Sequence, residues 1–71
     1  MNLSFIPTEI GLCTNLMFVN LRANRNLKAL PSEIAKLTKL TYLNIGNTGV
    51  TTLPDEVLSM KNTQDIQIVL P

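Results

Sequence analysis

The residues whose spacing could support chemistry are three glutamates, Glu9, Glu33 and Glu56, which recur at steps of 24 and 23 residues. A row of carboxylates could bind a cation, because hard cations prefer oxygen ligands. Each glutamate, however, lies two residues after a proline that can begin a helix, where the helix dipole favours a negative charge. We therefore interpret the row as solvated helix-start carboxylates and predict no metal site.

No other set of residues supplies catalytic groups. The sequence has no histidine, a single cysteine and no glycine-rich phosphate loop, and no nucleophile stands beside a plausible base. We expect no enzyme activity, no catalytic residue and no cofactor. Cys13 falls at an apolar position of the pattern described below, so we predict a buried, reduced thiol that acts as a small hydrophobe. One cysteine cannot form an intrachain disulfide, which favours an intracellular setting.

Length and charge limit the architecture and the partners. Seventy-one residues allow one domain, residues 1–71, and the formal net charge is only +1. That charge provides no electrostatic footprint for nucleic acid or an anionic membrane. No apolar run approaches the roughly 20 residues of a membrane span, and the N-terminal sequence lacks the features of a signal peptide. We expect a cytoplasmic protein with neither a nucleic-acid nor a membrane partner.

A short pattern of aliphatic residue, proline, polar residue, glutamate and aliphatic residue occurs three times. The copies begin at Ile6, Leu30 and Leu53. A fixed period in this range indicates a solenoid, in which each unit is one supersecondary element stacked on the next. After each proline the apolar residues recur at steps of three, as in a helix, whereas Leu43 and Ile45 are two apart, as in a strand.

Each unit is therefore predicted to be a short strand, a turn and a short helix. Pro31 and Pro54 are expected at the first helical position, where the missing N–H has no cost. Helical crossovers between the strands require parallel pairing. The predicted strands are residues 17–22, 41–46 and 64–69. The predicted units are 1–15 (partial), 16–39, 40–62 and 63–71 (partial).

The second unit resembles a known repeat family. It reads Leu40-x-x-Leu43-x-Ile45-x-x-Thr48-x-Val50-x-x-Leu53-Pro54-x-x-Val57, and a second copy reads Leu16-x-x-Val19-x-Leu21-x-x-Asn24. Both are similar to the leucine-rich repeat, L-x-x-L-x-L-x-x-N-x-L, of the roughly 23-residue class that ends in x-x-L-P-x-x-I. Intracellular Ras-suppressor-type proteins, plant intracellular Ras-group proteins and plant resistance receptors share this ending. The resemblance implies an α/β solenoid with a parallel sheet on its concave face, helices on its convex face, and a role in signalling or scaffolding.

The departures from the family pattern concern the turn and the third unit. The family's turn asparagine bonds backbone groups where the strand turns away. Asn24 can do this, whereas Thr48 replaces it in the second unit and has fewer donors. Alternatively, a shift of the turn by one residue would let Asn47 take the role of the family's asparagine. In the third unit Thr63 falls at a core position, so we interpret that unit as degraded.

The strand face that points away from the core is the predicted binding surface. Alternation along the strands gives three columns, Phe18–Tyr42–Asp65, Asn20–Asn44–Gln67 and Arg22–Gly46–Val69. Repeat proteins bind partners on such faces, and aromatic residues and arginine are enriched at the energetic centres of interfaces. The predicted contacts to a protein partner are Phe18, Asn20, Arg22, Tyr42, Asn44, Asp65 and Gln67. Alternatively, the two rings are only cross-strand neighbours that support the sheet.

The ends of the predicted solenoid are apolar and carry no visible polar cap. The residues expected to face solvent are Leu3, Phe5, Ile6 and Ile10 at one end and Ile66, Ile68 and Leu70 at the other. The outer strands would also offer unpaired edges. Two explanations stay open. Either the chain is a piece of a longer repeat protein, such as an enzyme with its activity elsewhere, or it covers its ends by self-association, as a homo-oligomer. If residues 1–71 fold alone, we predict a dimer or higher oligomer, because burial of the exposed aliphatic residues would rival the stability of a whole domain.

Overall fold

Short helices alternate with short strands along the chain in the computed structural model, which describes residues 3–71. Two 3₁₀ helices span Thr8–Leu12 and Ser32–Lys36, the strands are Phe18–Asn20 (β1), Tyr42–Asn44 (β2) and Gln67–Val69 (β3), and two single α-helical turns span Asp55–Leu58 (α1) and Met60–Thr63 (α2). The first two residues of the predicted partial unit 1–15 lie outside the described residues.

The three strands form one parallel sheet in the order β1-β2-β3, as predicted. The pairing continues beyond the strand ends, because the N–H of Leu21 donates to the carbonyl of Asn44 (2.8 Å) and that of Ala23 to the carbonyl of Gly46 (2.9 Å). The fold is a small mixed α/β arrangement, with a three-stranded parallel sheet and helices in the connections.

The register of the third strand differs from the prediction by two residues. Gln67, not Asp65, pairs with Tyr42, and Ile68, not Ile66, pairs with Leu43. The cause is the helical connection, which is α-helical before β3 and 3₁₀ before β2. An α-helix rises about 1.5 Å per residue and a 3₁₀ helix about 2.0 Å, so the α-helical crossover uses more residues to cover a similar distance.

Pro31 and Pro54 are the residues before their helices, not the first helical residues as predicted. Their ψ angles are extended, at 148° and 146°. The carbonyl of Pro31 accepts the first hydrogen bond of its helix, from the N–H of Ile34 (3.2 Å). Proline therefore directs the chain into each helix through its fixed φ and does not occupy the first turn itself.

One aliphatic cluster forms the core behind the sheet. Its fully buried members are Leu27, Ile34, Leu37, Leu40, Leu43, Ile45 and Val57. Leu37 and Met60 are buried as the repeat columns predict, but Cys13 in the same column is exposed. The first 3₁₀ helix packs against the second 3₁₀ helix and, among the described residues, has no helix on its other side. Cys13, which follows the first helix, is therefore left exposed. Thr63, predicted at a core position, is also exposed.

The turns after β1 and β2 contain equivalent side-chain-to-backbone hydrogen bonds, although the donor residue differs. Asn24 donates from Nδ2 to the carbonyl of Leu21 (2.7 Å), and Thr48 donates from Oγ1 to the carbonyl of Ile45 (2.7 Å). Asn24 also accepts from the N–H of Leu3 through Oδ1 (3.0 Å). Thr48 thus takes the place of the asparagine as donor to the carbonyl three residues earlier, but its Oγ1 accepts from the nearby N–H of Val50 (3.3 Å), not from a separate segment.

The residue before each of these turn side chains has a left-handed backbone. Ala23 has φ 68° and Asn47 has φ 54°. Asparagine adopts this region more readily than alanine, because its short polar side chain bonds locally. Asn47 therefore serves the turn through its backbone conformation, and the predicted register shift that would make it the hydrogen-bond donor does not occur.

A glutamine before β3 ties the last connection to the preceding one. Nε2 of Gln64 donates to the carbonyls of Leu40 (2.8 Å) and Leu37 (3.0 Å), and the residue is half-buried. These carbonyls follow the 3₁₀ helix Ser32–Lys36, where backbone acceptors need partners. The sequence pattern gave no indication of this contact, since Gln64 belongs to no apolar column.

We predict that Gln64→Glu lowers the free energy of unfolding by about 1–3 kcal/mol, because a carboxylate would remove the side-chain donor to the carbonyl of Leu40 and would repel that of Leu37, which also accepts from the N–H of Leu40. Urea unfolding followed by circular dichroism measures the change. Gln67→Glu is the matched control, because Gln67 is exposed on the sheet and should tolerate the same chemical change. Equal losses of stability in the two variants would contradict the assigned role of Gln64.

Candidate functional site

The sheet has one face on the core and one face away from it. Val19, Leu43 and Ile68 belong to the core or pack against it, so the residues on either side of them in the strands project from the opposite face. We call that face the outer sheet face; its side chains are Phe18, Asn20, Tyr42, Asn44, Gln67 and Val69. It carries most of the predicted contact residues.

Two aromatic rings dominate the outer sheet face. Phe18 and Tyr42 stack with their centroids 4.6 Å apart and an angle of 8° between their planes. Phe18 is nevertheless 60% exposed, because only one side of its ring is covered by Tyr42. The stack therefore supports the sheet, as the alternative prediction held, and also presents a large apolar surface to solvent.

Asn44 has an internal role in place of the predicted partner contact. The residue is only 8% exposed. Its Nδ2 donates to the hydroxyl of Tyr42 (3.0 Å), and its Oδ1 accepts from the N–H of Gly46 (2.9 Å). Both ends of the amide are engaged within the chain, so Asn44 positions the tyrosine and the start of the turn.

The other predicted contacts occupy three different situations. Asn20 and Gln67 are exposed on the outer sheet face, although Oδ1 of Asn20 accepts from the N–H of Arg22 (3.1 Å). Arg22 is exposed just beyond β1 and lies over Gly46, where an added Cβ would be 3.8 Å from its Cγ. Asp65 is exposed but precedes β3, so the corrected register removes it from the column that it was predicted to share with Tyr42.

The apolar ends are less open than predicted. Phe5 (69%) and Leu70 (58%) are largely exposed. The remaining predicted end residues are partly buried and pack against the core, namely Leu3, Ile6, Ile10, Ile66 and Ile68. The sequence interpretation missed Leu12, which ends the first 3₁₀ helix and is 79% exposed. Homo-oligomerisation through the ends stays a prediction.

A pocket lies beside Leu70, the residue that follows β3. It has a volume of about 370 Å³ and is bordered by Ile45, Val50 and Leu53, with threonine and proline completing its wall. None of these side chains titrates or coordinates a metal. Within residues 3–71, no three histidine, cysteine, aspartate or glutamate residues come together as a metal site.

Two further findings bear on the class of protein. In the part of the chain that the structure describes, no helix has the length and apolar character needed to span a bilayer. The sequence matches no protein-family model, and no curated protein is significantly similar to it.

We predict that Asn44→Ala lowers the free energy of unfolding by about 1–3 kcal/mol, since it leaves a half-buried amide of Gly46 without its acceptor. Asn20→Ala, at the equivalent position of β1, should cost clearly less, because water reaches the N–H of Arg22 when the side chain is removed. Chemical unfolding of both variants tests the contrast. Similar losses would mean that Asn44 is no more structural than the exposed Asn20.

Proposed function

We propose that the chain is a leucine-rich-repeat solenoid that binds a partner protein through its outer sheet face and catalyses no reaction. The single observation that carries the proposal is the Phe18–Tyr42 stack, an exposed aromatic surface on the sheet face opposite the core. The absence of histidine from the sequence and the aliphatic character of the pocket beside Leu70 support a binding role over a catalytic one.

The repeat interpretation is supported by backbone details that recur at a spacing of 24 residues. Asn24 and Thr48 each bond the carbonyl three residues earlier. Asn20 and Asn44 each accept from the N–H two residues later. Such recurrence of side-chain-to-backbone bonds is expected when each unit repeats the same strand and turn.

The aromatic stack has the energetic properties of a binding centre. Complete burial of an apolar side chain contributes about 1.5–3 kcal/mol, and about 1.4 kcal/mol corresponds to a tenfold change in affinity. The two rings already hold each other in place, and Asn44 holds the hydroxyl of Tyr42. Fewer rotamers are therefore lost when a partner covers them, which is the benefit of preorganisation.

The resemblance to intracellular repeat proteins implies signalling or scaffolding inside the cell, and we propose an intracellular setting for this chain as well. The free thiol of Cys13 fits that setting, because it is exposed and reducing compartments keep such thiols unpaired. The proposal requires one protein partner and no cofactor.

The test uses a random peptide library displayed on phage and selected on the folded chain. We predict that selected peptides bind the variant Phe18→Ala/Tyr42→Ala at least about tenfold more weakly, because the stacked aromatic surface is lost. The matched control is Leu12→Ala/Leu58→Ala, which removes two exposed leucines of the helical segments and should leave the affinity unchanged.

Circular dichroism of each variant establishes that the fold is retained before affinities are compared by fluorescence anisotropy. Selected peptides that bind the aromatic variant as tightly as the original chain, or that lose affinity only in the leucine control, would reject the outer sheet face as the binding site.

A further inference from the structure

We infer that the partner segment recognised by the outer sheet face is an acidic peptide, whose carboxylates pair with Arg22, Arg25 and Lys28 beside the Phe18–Tyr42 stack. We call these three basic residues the basic edge. The inference rests on the proposed function and adds the chemistry of the partner to it.

Charge is distributed unevenly along the chain, although the formal net charge is only +1. The basic edge lies within residues 10–32, a segment that contains no acidic residue. The glutamates Glu9 and Glu33 flank this segment and belong to the 3₁₀ helices, on the other side of the core from the outer sheet face. The turn after β1 is therefore locally cationic in a nearly neutral protein.

Backbone geometry places the first residue of the basic edge beside the outer sheet face. The ladder continues through Ala23, whose N–H donates to the carbonyl of Gly46 (2.9 Å). Arg22 lies in the turn after β1, with its Cγ 3.8 Å from where a Cβ on Gly46 would be. That Cβ would also lie 3.0 Å from Oδ1 of Asn44, a residue of the outer sheet face, so Arg22 borders this face.

The glycines of the second turn let the basic side chains lie across it. Cγ of Arg22 approaches Gly46, and Cδ and Nζ of Lys28 lie 2.7 and 2.8 Å from where a Cβ on Gly49 would be. A larger residue at Gly49 would displace the lysine. The backbone carbonyl of Arg25 borders the same position at 3.1 Å, so Lys28 and the backbone of Arg25 lie against the turn that Arg22 borders at Gly46.

The charges of the basic edge are not neutralised within the described residues. All three residues are exposed, and none of their side chains forms an ion pair or a hydrogen bond in residues 3–71, in contrast to Lys39, which donates to Oδ1 of Asn15 (3.2 Å). Cations grouped in this way attract a complementary negative segment and accelerate its association.

The hydroxyl of Tyr42 adds a donor to the same surface. Its oxygen accepts from Nδ2 of Asn44 (3.0 Å), so its own proton is available for an acceptor on the partner. A carboxylate is a stronger acceptor than a neutral carbonyl. The outer sheet face therefore offers a ring surface, one oriented donor and a cationic end, which together fit an apolar side chain followed by acidic residues.

A single-stranded nucleic acid is the competing occupant, because aromatic rings and basic residues also bind bases and phosphates. Stacking of bases requires free ring faces. Phe18 and Tyr42 use one face each on the other ring, and the chain as a whole carries almost no net charge. These observations favour the peptide.

The experiment compares two triple variants of equal charge. One removes the basic edge (Arg22→Gln/Arg25→Gln/Lys28→Gln), and the control removes the other three basic residues (Lys36→Gln/Lys39→Gln/Lys61→Gln). Each changes the formal net charge from +1 to −2, so only the position of the lost charges differs. The probes are the peptides selected from the displayed library, and circular dichroism establishes that both variants are folded.

We expect the selected peptides to be enriched in aspartate and glutamate. They should bind the basic-edge variant about tenfold more weakly than the control variant, as expected for a few exposed charge pairs. This difference should shrink when salt rises from about 0.1 M to about 1 M, because the Debye length falls from about 10 Å to about 3 Å.

Three results would overturn the inference, and they are distinguishable. Peptides that depend on Phe18 and Tyr42 but are not acidic, or that bind both triple variants equally, reject the acidic partner and leave the proposed function standing. Peptides that do not depend on the aromatic pair reject the proposed function as well. Binding of labelled single-stranded oligothymidylate that is lost only in the basic-edge variant assigns the surface to nucleic acid.

Discussion

The structure depends on the burial of one aliphatic row behind a sheet whose strands are only three residues long. Val19, Leu43 and Ile68 are paired across the three strands, and Leu43 and Ile45 are completely buried. Strands of this length have few hydrogen bonds of their own, so their position is fixed by burial, at about 1.5–3 kcal/mol for each fully buried side chain. The helical crossovers follow from the same constraint, because parallel strands need them.

Burial of one sheet face leaves the other face uncovered by the helices. The helices in the connections cover the aliphatic row, and Phe18 and Tyr42 stack on the uncovered side. Asn44 then links the tyrosine hydroxyl to Gly46 in the turn after β2, the residue that Arg22 lies against. The same strand alternation thus produces both the core and the candidate binding surface.

The sequence predicted the parallel sheet, the centres of β1 and β2 and most of the core, because these depend on apolar spacing alone. It did not predict the register of β3, since apolar residues three apart fit a 3₁₀ helix and an α-helix equally well. The two helices differ in rise per residue, and this difference moved Gln67 into the place predicted for Asp65. The aliphatic columns therefore predict the parallel sheet, but they do not determine which residues of β3 pair with β2.

Polar side chains were harder to assign from the sequence than apolar ones. Asn44 and Asn20 occupy equivalent positions, yet one is buried and bonded at both ends of its amide and the other is exposed. Gln64 bonds two carbonyls that are more than 20 residues away in the chain. Such roles depend on which backbone groups are left without partners after packing, and residue spacing does not contain that information.

Leu43 lies between Val19 and Ile68 in a parallel sheet. Nuclear Overhauser effects between assigned methyl groups in solution test this arrangement. We expect contacts of the Leu43 methyls with both neighbours, together with slow exchange of the ladder amides of Leu21 and Ile45. Contacts of Leu43 with Ile66 in place of Ile68, or an unprotected Ile45 amide, would contradict it.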